Sequence, residues 1–571
     1  MSTPKKFLIT SALPYANGPL HFGHLAGVYI PADIYARFRK LQGHQVLHIC
    51  GSDEHGVAIM QNAQKSGVPY QDYVNQWHQN HKSLFDSYGI HFDFFGQTSA
   101  DYHKDETLRW FKRLYEKGLI ESKPEQQLRC QDCHNYLPDR YVQGTCYVCG
   151  YEKARGDECP QCGTWIDAIK LIKPQCQFCG SHNVKTEEVT QYYLMLSKME
   201  KPFKQWFATK KWWRKTVVPF VESLVEKEMV DRAITRDLDW GIDVPLSEAK
   251  GKKLYVWFDA PIGYVSNTKE CLKKRGSSED YLQDWWHNPE VEISHFIGKD
   301  NIIFHSLIFP IMAMGTDYIL PPTVVPANQY VNLEGKQFSK SQGWYIDAEE
   351  AFSTFGQDAL RYYLINLIPE SQDSSFTWSG FEAKVNNELA NNIGNLTSRC
   401  LKFFSKNWPE GISFEVFKDY WASDDFKMFL EGQKRVRDHL EKIEIKRAME
   451  ELMHLGQELN NQFSQAAPWS QIKVDKALAQ KTISYTALGL IHLAGEFTPF
   501  LPNLATQILK NYPAVFLEHI DRIYQHDLSW MKDQLQEGLV ISSEISMLVP
   551  KIDSQLIKTK EEELKSKELG Q

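Results

Sequence analysis

Hydrophobic positions near the N-terminus come as a short unbroken run, Phe7-Leu8-Ile9, then as a helical repeat, then as a second run, Val46 to Cys50. Short apolar runs suit strands buried on both faces, and apolar positions three and four apart between His21 and Lys40 suit a helix. Turn-forming Gly, Pro and Asn fill the stretch Pro14 to Pro19 between strand and helix. Strand, turn, helix, strand is a βαβ unit, which builds doubly wound parallel sheets with ligands at the carboxyl ends of the strands. After Asp347 the pattern changes: FEAKVNNELANNIGNLTSRCLKFF has apolar residues at helical spacing and predicts an α-helical bundle. The expected class is α/β, a Rossmann-type parallel sheet followed by an all-helical part.

Between these patterns lie four Cys-x-x-Cys pairs, Cys130/Cys133, Cys146/Cys149, Cys159/Cys162 and Cys176/Cys179, which use eight of the eleven cysteines. Thiolates so spaced can bite one tetrahedral Zn²⁺ from a tight turn, so the set fills two closed structural sites. A disulfide framework is the weaker reading, because a chain of 571 residues can build its own core and no signal peptide is expected before Phe7. Spacers of 12, 9 and 13 residues permit either sequential or nested pairing.

Composition narrows the class further. Hydrophobic content of 42% with 24% charge fits folded domains and excludes disorder. The most apolar late stretch, Ile483 to Leu509, is broken by Glu496, Pro499 and Pro502, so a cytoplasmic protein without a membrane span is expected. Net charge of −8 argues against a nonspecific nucleic-acid coat. The segment 201–215, KPFKQWFATKKWWRK, has six Lys/Arg among aromatics and no acid, which suits RNA phosphates and bases or a solvated basic loop equally. Beyond Pro550, KTKEEELKSKE reads as a solvated, charged helix or tail.

His21 and His24 stand three apart where a helix begins, and free N–H groups there attract anions. Gly23 between them permits close approach, and imidazole donors can stabilise charge growing on a phosphate. The quartet HFGH, after ALPYANGP, resembles the HIGH signature of class I aminoacyl-tRNA synthetases, and its flanking words resemble the methionyl enzymes. Far downstream, GKQFSKSQG at 335–343 resembles their second signature, KMSKS, with Gln337 and Phe338 in the first two places. YVWFDAPIGYVSN at 255–267 and HFIGKDNIIFHSLIFP at 295–310 resemble methionyl-enzyme segments closely.

That resemblance implies activation of L-methionine by ATP and transfer to tRNA(Met), with Mg²⁺ travelling with the nucleotide. It makes His21, His24 and Lys340 the catalytic donors, and Gly23, Gly298, Lys299, Asp300, Lys336, Ser339, Lys340 and Ser341 the ATP contacts. Leu13, Tyr15, Trp257, Pro261, Tyr264, Phe304 and His305 would form the methionine pocket, Tyr264 and His305 donating to sulfur, and Asp53 would hold the ammonium. Phe309 stands where the family often has tryptophan, leaving a smaller wall. Asn395, Arg399 and Trp469 would read the anticodon. The implied zinc grouping is nested, Cys146, Cys149, Cys159 and Cys162 within Cys130, Cys133, Cys176 and Cys179.

The implied domains are a nucleotide fold split into 1–118 and 236–325, a connective insert at 119–235, a loop and stem-contact region at 326–384, the anticodon-binding bundle at 385–550 and the tail at 551–571. A monomer is expected. The insert is too short for the editing domain of the leucine, isoleucine and valine enzymes. Another class I enzyme, cysteinyl or leucyl, and a noncatalytic tRNA-binding relative are the alternatives.

Overall fold

Along the chain run β1 (Lys6–Ser11), β2 (Gln45–Ser52), β3 (Phe94–Gln97), β4 (Ile120–Cys130), β5 (Val184–Leu194), β6 (Val291–Gly298) and β7 (Ala327–Asn328). The computed structural model describes residues 5–137, 141–156, 159–164, 166–226, 229–339 and 343–569. Five of these strands form one parallel sheet in the order β7-β6-β1-β2-β3. The chain winds outward from β1 through β2 and β3, then returns to the other side of β1 as β6. That reversal opens a crevice at the carboxyl ends of β1 and β6, where Ser11 lies opposite Phe296. HFGH follows β1 and GKDN follows β6, so strand order brings both segments to one crevice.

The first unit is as its periodicity predicts, with both strands slightly longer at each end. Its helix departs from regularity. Phe22–His24 continues through a π turn, Leu25–Tyr29, into Ile30–Leu41. π turns interrupt helices mostly at functional places, because they re-aim side chains.

Two antiparallel strands, β4 and β5, pair from Ile120 with Leu194 to Cys130 with Val184 and form a stalk that carries the cysteine-rich segment. Beyond β7 the chain is mostly helical, with Asn395–Asn407, Asp424–Glu441, Ile445–Ala466 and Lys476–Phe497 as its long members. Lys476–Phe497 is buried almost throughout its last fifteen residues and forms the centre of this part.

Arg361, fully buried on helix Gln357–Asn366, ties the halves together. It pairs with Asp33 of the first unit and donates to the carbonyls of Tyr88 at 3.0 Å and Phe500 at 2.6 Å. Burial pushes the Asp33 carboxyl up, but Arg37 and Arg361 hold it down at about 2. A buried charge of this kind persists only when paired and hydrogen-bonded on every side.

Two expectations need correction. The C-terminal segment is a docked helix, Ser554–Leu569, with Ile557 and Leu564 buried and Lys560 paired to Glu350 at 2.5 Å. In 201–215, Phe203, Phe207 and Trp213 are buried in the core, and Trp213 Nε1 donates to the Thr323 carbonyl at 2.9 Å. Half-buried Arg214 donates to Asn328 Oδ1 at 2.5 Å and to the Ile443 carbonyl at 3.0 Å, so much of this composition serves packing. Among the described residues no helix is long and apolar enough to cross a membrane.

Candidate active site

His21 caps the first helical turn. Its Nδ1 accepts from the Gly23 N–H at 3.1 Å, and its own N–H donates to Nδ1 of His24 at 3.2 Å. A ring nitrogen that accepts carries no proton, so both neutral imidazoles hold theirs on Nε2 and present donors. The ring centroids are 3.8 Å apart, giving two adjacent donors suited to an anion. A Cβ on Gly23 would fall 2.9 Å from the His21 ring, so a side chain there would displace the cap.

The downstream loop meets these histidines. Phe338 stacks on His21, centroids 4.5 Å apart and planes 5° apart. Lys336 lies over the Trp344 ring at 4.9 Å, and Ser339 exchanges backbone hydrogen bonds with Trp344. Lys340 and Ser341 lie outside the described residues. Asp300 accepts from Tyr330 Oη, while Lys299 sits over the Tyr330 ring at 3.8 Å and pairs with Asp373 at 2.9 Å. Gly298 ends β6 with open space where a side chain would stand.

Beside the crevice is an aromatic pocket. Trp257 and Phe304 stack at 4.0 Å, Pro261 and Tyr264 are buried, and Leu13 reaches 3.0 Å from the Cβ position of Gly263. His305 sits on a π turn, Phe304–Ile308. Its Nδ1 donates to the Asn301 carbonyl at 3.0 Å, and Nε2 accepts from Tyr264 Oη at 2.7 Å. The N–H expected to reach a thioether is therefore committed to Asn301. Burial holds the His305 imidazole down at about 4, so it is neutral near pH 7. Phe309 is buried and packs against Trp110, Trp286, Tyr264 and His295.

Asp53 follows β2 and bridges to Tyr15 through the backbone. Its Oδ1 is buried with no hydrogen-bond partner among the described residues. Burial, then Asp259 and Glu54, pushes its carboxyl well above the usual range. An orphaned carboxylate oxygen beside an aromatic pocket fits a ligand cation. The Tyr15 hydroxyl lies 2.8 Å from the Cβ position of Gly56, whose φ of +111° also favours glycine. Sequence reading missed the pair behind Asp53, in which His55 Nδ1 meets Asp259 Oδ2 at 2.6 Å. The acidic and imidazole neighbours within GSDEHG were the available signal.

The thiols gather as two nested sets, Cys130, Cys133, Cys176 and Cys179, and Cys146, Cys149, Cys159 and Cys162, each set with its sulfurs within 4.8 Å. Sulfur separations of 3.5, 3.6, 3.6 and 3.9 Å exceed a disulfide bond. They approach the spacing of about 3.8 Å that a tetrahedron with metal–sulfur bonds of about 2.3 Å requires. In the helical part, Arg399 lies 4.9 Å over the half-exposed Trp469, and exposed Asn395 begins the same helix.

A family model described as tRNA synthetases class I (M) matches residues 7–401, and one described as the anticodon binding domain of methionyl tRNA ligase matches 423–566. A methionine–tRNA ligase of Christiangramia forsetii is 39% identical over 99% of this chain and 81% of its own. One from Chlamydia pneumoniae is 40% identical over 96% of this chain and 99% of its own. The solved methionyl-tRNA synthetase of Mycobacterium tuberculosis in complex with methionyl-adenylate is 24% identical, with a TM-score of 0.71 over 89% of this chain and 94% of that one, which shows a shared fold. Relatives about 40% identical over most of their length, and two family models in chain order, agree with the crevice and its paired histidines: the chain belongs to the class I methionine–tRNA ligases.

Proposed function

We propose that the crevice activates L-methionine with ATP and passes the methionyl group to the 3′ end of tRNA(Met). A methionine carboxylate oxygen attacks the α-phosphorus as the bond to pyrophosphate breaks. The adenylate then yields its acyl group to a ribose hydroxyl of the terminal adenosine, releasing AMP. No protein nucleophile is needed, so rate comes from positioning and from donors aimed at the phosphates.

In this reading His21 and His24 supply the Nε2 protons toward the triphosphate. Lys340, next in sequence after Ser339, adds a positive charge, with Gly23, Gly298, Lys299, Asp300, Lys336, Ser339 and Ser341 around the nucleotide. Asp53 pairs with the ammonium, while Leu13, Tyr15, Trp257, Pro261, Tyr264, Phe304 and His305 enclose the thioether. Mg²⁺ arrives with ATP. The two thiol sets would hold Zn²⁺ as closed structural crosslinks for the insert 119–235, with no part in the chemistry. Asn395, Arg399 and Trp469 read the anticodon on the bundle 385–550 of a cytoplasmic monomer.

The observation that carries this reading is the meeting of the two signature segments, His21 against Phe338, beside the buried orphan oxygen of Asp53. ATP–pyrophosphate exchange with each amino acid tests it, methionine being the expected substrate. Exchange with cysteine or leucine alone would overturn it, and tRNA binding without exchange would indicate the noncatalytic relative. His24→Ala is expected to lose about 10²- to 10³-fold in exchange with tRNA binding little changed.

A further inference from the structure

His21 is constrained on two sides. Nδ1 is fixed by the Gly23 N–H, and one face of the ring is covered by Phe338 at 4.5 Å. The hydrogen bond settles which nitrogen carries the proton. Because Nδ1 lies off the Cβ–Cγ axis it also resists tilt about that bond, and the parallel ring of Phe338 adds to that resistance across one face.

The described residues on either side of Phe338 are tied by several hydrogen bonds. Leu333 and Lys336 exchange backbone hydrogen bonds across a turn whose residues, Glu334 and Gly335, have φ of 47° and 80°. Ser339 and Trp344 close a second pair, and Trp344 Nε1 donates to the Leu333 carbonyl at 3.0 Å. The base of the loop is tied to the strand Ser374–Phe376 through Glu334 N–H to the Phe376 carbonyl and Gly335 N–H to Ser375 Oγ, both at 2.8 Å. Phe376 packs on Phe22 at 5.0 Å, next to His21 in the chain. Phe338 and the strand that anchors its loop thus contact the histidine turn at two neighbouring residues.

We propose that Phe338 is a positioning residue for His21: its ring fixes the plane of the imidazole, and therefore the direction of the Nε2 proton, during adenylation. The proposal rests on the crevice being the adenylation site. Phe338 touches no reacting atom and acts only through His21. A methionine or leucine at 338 would supply comparable bulk without a flat face, so the substitution in the signature gives this chain an aim that bulk alone would not.

The experiment is a double-mutant cycle in the full-length chain, read by ATP–pyrophosphate exchange with methionine. F338L is expected to lower kcat roughly three- to tenfold with the KM for methionine unchanged, and F338Y to recover most of that loss. In an H21A background F338L should add less than about twofold, because the group it positions is gone. The same loss in both backgrounds, an unchanged kcat in F338L, or no recovery in F338Y would each overturn the proposal. Failure of the wild type to exchange with methionine would instead overturn the functional reading beneath it.

Discussion

The Tyr264 hydroxyl donates to Nε2 of His305 at 2.7 Å, and this bond decides which groups the pocket can offer a thioether. With Nδ1 given to Asn301, the imidazole must remain neutral and accepting at its other nitrogen. In the proposed reading methionine would therefore be recognised chiefly by shape, aromatic contact and polarisability.

Neutral burial makes His305 acid-sensitive. Its folded value is held down at about 4 by burial, whereas unfolding returns it to about 6.5. Between those values the unfolded chain binds more protons, so this residue's contribution is present above pH 6.5 and is lost as pH falls toward 4. His305→Gln keeps an acceptor for Tyr264 and removes the titration. From pH 7.5 to 5 the wild type should lose about 2 kcal/mol more stability than the variant, measured by urea unfolding. Equal losses would refute the assignment.

Asp53 behaves oppositely. Its raised carboxyl must give up a proton to pair with an ammonium group, so the methionine KM should fall as pH rises from 5.5 to 8. Asp53→Asn should raise that KM by at least about 30-fold and flatten its pH dependence. An unchanged KM would remove Asp53 from the site.

Metal analysis of the purified chain is expected to find two equivalents of zinc. Cys146→Ser should cost one equivalent, because its set shares no sulfur with the other. Limited proteolysis should then cut first between β4 and β5, where little core remains without the metal. Full metal content in the variant would contradict the grouping.

Arg399 and Trp469 form a cation–π pair on the bundle surface. Trp469→Ala removes a stacking face worth roughly 1–3 kcal/mol per base, so the KM for tRNA should rise about 5- to 150-fold. Methionine-dependent exchange should be unaffected, since the anticodon takes no part in adenylation. Parallel losses in both assays would indicate misfolding.

Leu564 tests the docked C-terminal helix. Its side chain is 5% exposed, so Leu564→Glu places a charge where no partner waits. Protease cleavage within residues 554–569 should accelerate in the variant. A tail in solvent would be cut equally fast in both.

Much of this was readable along the chain, for local reasons. Phe7-Leu8-Ile9 and Val46 to Cys50 are too short and too apolar for anything but buried strands, and the cysteine pairs state their chemistry by spacing. What escaped reading depends on partners distant in sequence. Ile557 and Leu564 look isolated among charges until their helix is seen to pack against Trp378–Lys384, with Lys560 paired to Glu350. Arg214 sits in a basic run whose composition says RNA, yet Asn328 and Ile443 claim it. Phe338 resembles an imperfect signature until His21 is found beneath it. Nor does periodicity reveal a π turn, because one extra residue in a helix leaves the apolar spacing nearly intact.

Arg361 has a bearing on how such an enzyme can be divided. Its guanidinium takes acceptors from Asp33, Tyr88 and Phe500, three pieces of chain that meet nowhere else in sequence. Cutting the bundle away would leave the guanidinium its Asp33 and Tyr88 acceptors but strip the Phe500 carbonyl from Nε, and a foreign bundle would have to bring a carbonyl to the same spot. The parallel-sheet part and the helical part thus cannot be exchanged independently.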